Sequence, residues 1–367
     1  MNPSVKDRIL DVLGKAPAPM TGEQIATILA LPYKIIAPRI STLAGEGQIY
    51  DTGQRCTDAV TRRPKTLWAH TRHLSVLPQS LPAVSAYKGA PKRPVMRYHG
   101  GKWIIAPWIV SQFPAHRIYV EPFGGAASVL LRKPRSYAEI YNDLAGDIVN
   151  VFRVLQDDAQ AQRLIHLLTV TPFARAEFER TYEPSGDPVE RARRTIFRTM
   201  AGFGSSASTK GYKTGFRANA NKSGSTPARD WVNYPRRLPA IIDRLRGVVI
   251  ENRPAVEVMQ QQDSPSTLHY VDPPYVHATR RESNGRDPSY EFEMTDADHE
   301  ALAGQLSELE GFVVLSGYPS DLYDRLYTRW NHIERPHYVA TSKGSKISFE
   351  RLWFNDRAWR ARQDLFA

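Results

Sequence analysis

Leu268-His269-Tyr270-Val271-Asp272-Pro273-Pro274-Tyr275 is the stretch on which the reading of this chain turns. Four residues of apolar strand character run into a carboxylate, and two prolines follow. Proline fixes its own φ and restricts the residue before it, so the strand stops here and Asp272 stands at its carboxyl end. An aromatic amino group is a poor nucleophile because its lone pair is delocalised into the ring. An acceptor pair, the Asp272 carboxylate and the Pro273 carbonyl, would hold both amino hydrogens and turn the lone pair out of the ring plane. Tyr275 would offer a face on which an extruded base stacks. The same four letters in isolation also read as a mere turn, so the surroundings decide.

Upstream, Ile118-Tyr119-Val120 reads as a short buried strand entering Glu121-Pro122-Phe123-Gly124-Gly125-Ala126 and then a helix. A strand, a Gly-rich turn and a helix let a ligand approach the backbone closely, which is the plan of an α/β fold. The third glycine of a dinucleotide fingerprint is missing, which disfavours a pyrophosphate cofactor. About twenty residues on, Glu139-Ile140-Tyr141-Asn142-Asp143 is a second strand ending in an acid able to accept both hydroxyls of a ribose. Ahead of both, Tyr98-His99-Gly100-Gly101-Lys102 precedes an amphipathic helix carrying Ile104, Ile105, Trp108 and Ile109.

From Ala126 to Asp272 there are 272 − 126 = 146 positions, far more than a βαβα unit needs. Within them, Arg191 to Arg229 holds nine Lys or Arg and no Asp or Glu across 39 residues. Phe203, Tyr212, Phe216 and Trp231 are interleaved there with Lys210, Lys213, Arg217 and Lys222. Basic residues among aromatics suit phosphate contact with base stacking or wedging. The bland alternatives are a solvated basic loop and aromatics that belong to the core. The Gly, Ser and Asn content of 202–225 suggests a loop or hairpin that orders on a nucleic acid.

The first 94 residues carry 13 Lys or Arg against 6 Asp or Glu, a net of +7. Ile9, Leu10, Val12 and Leu13 share a helical face, and Thr21-Gly22-Glu23-Gln24 is a capping box opening a second helix. A third helix is expected over Tyr33–Leu43, with Lys34 and Arg39 among its polar positions. Strands at 48–51 and 66–69 flank a loop with Arg55, Arg62, Arg63 and Lys65. Three short helices and a basic hairpin resemble a winged helix-turn-helix, whose third helix reads the major groove and whose wing grips backbone. A winged helix that binds protein instead is the alternative. His73 to Arg93, with Pro78, Pro82 and Pro91, reads as an extended linker.

The whole chain of 367 residues is 41% hydrophobic and 24% charged, enough to build a core in about two domains. Its net charge of +11 points to a polyanionic partner. No run approaches the ~18 apolar residues of a membrane span, and the charged N-terminus does not read as a secretory signal. Cys56 is the only cysteine, so a disulfide framework and a cysteine-rich zinc site are excluded, and a reducing cytoplasm is the expected setting. The ten histidines show no metal-ligand spacing, and no metal is expected.

From Val95 to Phe366 the order of these motifs resembles the Dam-like, adenine-specific amino-group DNA methyltransferases of bacteria and phages. That resemblance implies the doubly wound, mostly parallel α/β fold of S-adenosylmethionine-dependent methyltransferases at 95–367, with a mainly helical target-recognition insert at about 151–246. A winged-helix module at 1–72 and a linker at 73–94 would precede it. It implies S-adenosylmethionine as methyl donor and double-stranded DNA as partner. Asp272, Pro273, Pro274 and Tyr275 would be catalytic. Tyr98, Gly100, Lys102, Glu121, Phe123, Gly124, Gly125, Ala126, Asp143 and Asp272 would hold the donor. Lys34, Arg39, Arg62, Arg63, Lys210, Lys213, Arg217 and Lys222 would meet DNA. Phe349 to Asn355 resembles the late strand near the base pocket. Relatives usually place an acid where this chain has Asn252-Arg253-Pro254, so the donor's adenine would be met by backbone. Two alternatives stand beside this reading. One is an amino-methyltransferase acting on cytosine in DNA, or on RNA or protein, although relatives acting on RNA or protein tend to carry Asn where this chain has Asp272. The other is a DNA-binding regulator with an inactive methyltransferase body.

Overall fold

A computed structural model describes residues 3–16, 18–46, 48–57, 64–70, 90–203, 213–218, 225–279, 291–341 and 344–363. The chain divides into two compact units, Met1–Ala83 and Val84–Ala367, and the division falls inside the expected linker. Most of that linker lies outside the described residues, as do Arg62, Arg63, Lys210, Tyr212 and Lys222.

In the first unit, α1 (Val5–Lys15) is followed by β1 (Met20–Thr21), α2 (Gly22–Ile28), α3 (Tyr33–Gly45), β2 (Ile49–Thr57) and β3 (Pro64–His70). Capping boxes open two of these helices, Ser4 with Asp7 and Thr21 with Gln24. Each satisfies backbone N–H groups that the first turn leaves without a partner. Ile9, Leu13, Ile25, Ile36, Ile40 and Leu43 form one buried core. The sheet order is β1-β3-β2, all antiparallel. The two-residue strand β1 escapes the sequence reading because it is too short to show a period.

The second unit contains α4 (Ala106–Val110), β4 (Ile118–Glu121), β5 (Ala138–Asn142), α5 (Gly146–Gln156), α6 (Asp158–Val170), α7 (Arg175–Arg180) and α8 (Pro188–Ala201). Next come α9 (Pro227–Val232), α10 (Leu238–Leu245), β6 (Val248–Glu251), α11 (Ala255–Gln262) and β7 (Thr267–Val271). The chain continues through α12 (Asp296–Glu308), β8 (Phe312–Gly317), α13 (Asp321–Leu326), β9 (Asn331–Thr341), β10 (Gly344–Phe354) and α14 (Asp356–Gln363). Seven strands form one sheet in the order β6-β5-β4-β7-β8-β10-β9. The first five are parallel, and β10 runs antiparallel to both β8 and β9.

Strand residues alternate between two helical layers, as a pleat with period two requires. Tyr119, Tyr141, Tyr270 and Val314 face a core shared with α5, α8 and α10. Val271, Val313, Leu315 and Trp353 face the layer of α11, α12 and α13. Both faces are covered, so these strands read as continuous apolar runs.

Two expectations are corrected, and the alternative that the aromatics belong to the core is decided. After the Gly-rich turn the chain makes consecutive turns, not a helix, because Ala127 is held at φ +52° and breaks the helical run. The helix after Lys102 is only Ala106–Val110, and Ile104 is 89% exposed. Trp231 is a core residue: its ring stacks on Tyr234 with centroids 5.6 Å apart, and its indole N–H donates to the Thr171 carbonyl. Phe216 likewise packs against Phe173 and Phe178.

The basic run is also less free than its composition suggests. Arg193 pairs with Glu190 and Glu177, Arg194 pairs with Glu190, and Arg191 lies 3.5 Å from Asp147. Acids outside the run thus neutralise the α8 arginines, which pattern along the chain cannot reveal.

Candidate active site

Strand order reverses between β4 and β7, since the chain builds outward from β4 through β5 to β6 and then returns to β4's other side. A crevice at the carboxyl ends of the strands is the expected ligand site at such a switch point. A cleft opens there, lined by Tyr98, Gly100, Lys102, Glu121, Phe123, Gly124, Gly125, Ala126, Asp143, Asp272 and Pro274. All ten residues expected to hold the donor therefore meet in one place, and Asp272 belongs to both expected sets.

The glycines serve different ends. Gly124 donates its N–H to the Asn142 carbonyl at 2.7 Å, so the turn crosses tightly over the end of β5. A Cβ on Gly124 would lie 2.1 Å from Cε2 of Tyr141, a fully buried ring. Gly125 has φ +47°, and a Cβ there would meet the Tyr98 ring at 2.6 Å. Bare backbone N–H groups in such a turn can be approached closely by a ligand.

Asp143 braces this turn from the next strand. Its Oδ2 accepts from Gly125 N and its Oδ1 from Ala145 N, both at 2.8 Å. Burial lifts it above the usual carboxylate range despite those donors. Asn252 Nδ2 donates to the carbonyls of Asp143 and Leu144, so the residue standing where relatives carry an acid secures the same corner.

Glu121 ends β4 and turns inward. Its Oε2 accepts from Tyr119 OH at 2.6 Å and Leu130 N at 2.9 Å. Burial pushes its carboxyl up to about 8, with the charge of Asp272 adding to the rise.

Asp272 follows β7 directly. Lys102 Nζ lies 2.8 Å from Asp272 Oδ1 and donates also to the Gly100 carbonyl at 3.0 Å. Burial lifts Asp272 to about 6; Lys102 pulls it down and Glu350 adds to the rise. Pro273 and Tyr275 are buried beside it. The Tyr275 ring is 7% exposed, with Lys102 Nζ 4.7 Å from its centroid and the Tyr318 ring 4.5 Å away.

Sequence reasoning missed several lining residues. Glu291, Phe292, Glu293 and Met294 border the cleft from a segment without regular periodicity. Glu350 reaches the site from β10, its carboxylate accepting from Tyr275 OH at 2.9 Å. Only the position of Phe349–Asn355 near the base pocket hinted at it.

The expected DNA contacts scatter. Lys34 and Arg39 are exposed on α3. Lys213 is exposed, with Nζ 5.5 Å from the Tyr182 ring centroid. Arg217 is half-buried and donates from Nη1 to the Met200 carbonyl at 3.1 Å. Among the described residues, no group of three or more His, Cys, Asp or Glu could hold a metal ion, and no helix is long and apolar enough to cross a membrane.

A doubly wound sheet of this order, with a Gly-rich turn and a strand-end Asp-Pro-Pro-Tyr at its switch point, defines an α/β methyltransferase. The sequence model of the D12 class N6 adenine-specific DNA methyltransferases matches residues 98–340, and the chain belongs to that family. Its reaction is methylation of adenine N6 in DNA, and methyltransferases in general take the methyl group from S-adenosylmethionine. A comparison with curated proteins gave no match. The family match begins at Tyr98 and so leaves the first unit outside it.

Proposed function

We propose that the cleft binds S-adenosylmethionine over the Gly124–Ala126 turn and that Asp272 with the Pro273 carbonyl orients the amino group of an adenine swung out of duplex DNA. The observation that carries this is the place of Asp272. It ends the central strand, one oxygen held by Lys102, beside a turn whose glycine can bear no side chain. The chemistry of the lining fits the donor. Among the described residues, Asp143, Asp272, Glu291 and Glu293 line the space with Lys102 as its one ammonium, which suits a ligand bearing sulfonium and α-amino charges.

When bound over the Gly124–Ala126 turn, the donor would supply an electrophilic methyl carbon for the N6 lone pair, with its sulfur as the leaving group and the N6 proton passing to solvent. The protein's part is to orient and to exclude water. Lys102 occupies Asp272 Oδ1 and leaves Oδ2 for one amino hydrogen, while the Pro273 carbonyl takes the other. Aimed acceptors of this kind act most strongly in the transition state. Tyr275, buried between Lys102 and Tyr318, is assigned as an aromatic wall behind the base pocket, and Tyr318 continues it.

Asp143 is assigned to the ribose hydroxyls, each of its oxygens retaining a lone pair beyond the backbone N–H it accepts. Asp143→Asn is expected to weaken donor affinity by about 10- to 100-fold, in line with charge-assisted bonds worth ~1.5–3 kcal/mol. Calorimetry on the folded variant reads this directly. Unchanged affinity would remove the ribose role and leave Asp143 as a brace for the turn.

The first unit is assigned as a winged-helix DNA contact, with Lys34 and Arg39 on the reading helix. Lys213 and Arg217 would serve recognition by the catalytic unit. A fragment starting at Pro91 keeps every motif of the cleft. It is expected to methylate with kcat near that of the full chain, with a raised DNA KM and a flatter dependence of binding on salt, since fewer phosphates are neutralised. The assay is methylation and DNA binding across a salt series. A folded, donor-binding fragment that fails to methylate at saturating DNA would make the first unit part of the recognition apparatus instead.

A further inference from the structure

Glu350 is 1% exposed and lies on β10, whose pairing with β8 sets Arg351 opposite Gly317 and Leu352 opposite Ser316. Its Oε1 accepts from Tyr275 OH at 2.9 Å and Ser316 Oγ at 2.5 Å, and lies 3.8 Å from Lys102 Nζ. A buried carboxylate needs such donors to offset its lost hydration. A purely structural ion pair in this protein looks different. Lys133 and Arg244 close on Glu139 at 2.7 and 2.6 Å, far along the sheet from Asp272. The ammonium nearest Glu350 is instead engaged at 2.8 Å by Asp272, so two carboxylates share one cation. The other donors to Glu350 are the last residue of Asp-Pro-Pro-Tyr and a serine on the neighbouring strand.

We infer that Glu350 is a positioning residue for the methyl transfer, fixing the Tyr275 ring and holding Lys102 between itself and Asp272 so that one Asp272 oxygen stays open to the adenine amino group. This rests on the assignment of Asp272 as the amino-group acceptor. The hydrogen bond from Tyr275 OH anchors the far end of the side chain, so the ring cannot swing about the Cα–Cβ bond. The charge on Glu350 does a second thing. It draws Lys102 partly away from Asp272, which leaves Asp272 a more basic, stronger acceptor. The groups facing Asp272 are Lys102, Glu350, Glu121, Tyr270 and Tyr323. Of these, Lys102 and Glu350 act on it from opposite directions.

Glu350→Gln in the full chain keeps an acceptor for both hydroxyls and removes the charge. The expected result is a fall in kcat of about tenfold or more, the scale of one misoriented catalytic group. Donor Kd and DNA KM should stay within about threefold, and the acidic limb of the kcat profile should move to lower pH, because Asp272 loses the neighbour that made it more basic. Ser316→Ala removes one donor to Glu350, strengthens its hold on Lys102, and should move the limb to higher pH; it keeps the inference testable should Glu350→Gln not fold. Limbs that stay in place in both variants overturn the inference, as does a loss of kcat matched by equal losses of donor affinity and Tm. Asp272→Ala, which leaves no side-chain acceptor, is measured in parallel. Activity surviving there would sink the acceptor assignment itself, whereas an inactive Asp272→Ala with unmoved limbs in the other two variants sinks only the role of Glu350.

Discussion

Asp272→Ala is expected to lower kcat by about 1,000-fold, the upper range for deleting one aimed electrostatic group, while donor binding is weakened but stays measurable. The division follows from position. The donor is assigned to the turn formed by Gly124, Gly125 and Asp143, whereas Asp272 stands at the end of the neighbouring strand, with Lys102 as its partner. Loss of the carboxylate does not leave Lys102 stranded, because Glu350 lies 3.8 Å away and the Gly100 carbonyl already accepts from it. The variant should therefore fold. Labelled methyl transfer at saturating DNA, paired with calorimetry of donor binding, separates the two effects. Turnover within about tenfold of the unmodified protein would end the assignment.

The same group sets a pH dependence. Ionised Asp272 is the stronger acceptor for an amino hydrogen, and burial lifts the group to about 6. Activity of the free enzyme should be full above that value and fall as pH drops through it. Stability runs the other way. Asp272 at about 6 and Glu121 at about 8 are both raised above their ordinary values of 3.8 and 4.5. Their share of stability is present below the ordinary values and is lost as pH rises through the raised ones. The site is thus least comfortable where it is most active, and a cationic donor offsets part of that cost.

The strands of the cleft were legible because they are buried on both faces and read as short apolar runs: Ile118–Val120 and Leu268–Val271 both fall inside observed strands. The residues expected to hold the donor line one cleft because the Gly-rich turn and Asp143 end neighbouring strands, β4 and β5. Glu350 was not, since it joins the site through an antiparallel strand 75 residues after Tyr275. The arginines of α8 looked like a free basic surface because their acids, Asp147, Glu177 and Glu190, lie outside the run. Trp231 looked available for stacking, but its indole fills the core beside Phe197, with centroids 4.7 Å apart. In each case a tertiary contact decided what the local pattern could not. The family assignment answers the cytosine alternative in favour of adenine.

Gly124→Ala is expected to weaken donor binding by about 100-fold or more, roughly 3 kcal/mol at 1.4 kcal/mol per tenfold. The added methyl would sit 2.1 Å from Tyr141 Cε2 and 2.5 Å from its Cδ2, distances no pair of carbons sustains. Tyr141 has nowhere to go: its OH donates to the Gly125 carbonyl at 2.7 Å, and its ring packs on Phe152 with centroids 4.5 Å apart. The turn must therefore lift off β5, breaking the Gly124 N–H bond to Asn142 and moving Gly125 away from Asp143. Overpacking of this kind typically costs about 1–3 kcal/mol of stability, so Tm should fall by several degrees as well. Trimming the ring in Gly124→Ala/Tyr141→Leu makes room for the methyl and should restore part of the donor affinity. Calorimetry on the three proteins decides the point. Wild-type affinity in Gly124→Ala would mean the donor does not rest on this turn, and no recovery in the double variant would mean that the clash with Tyr141 is not the cause.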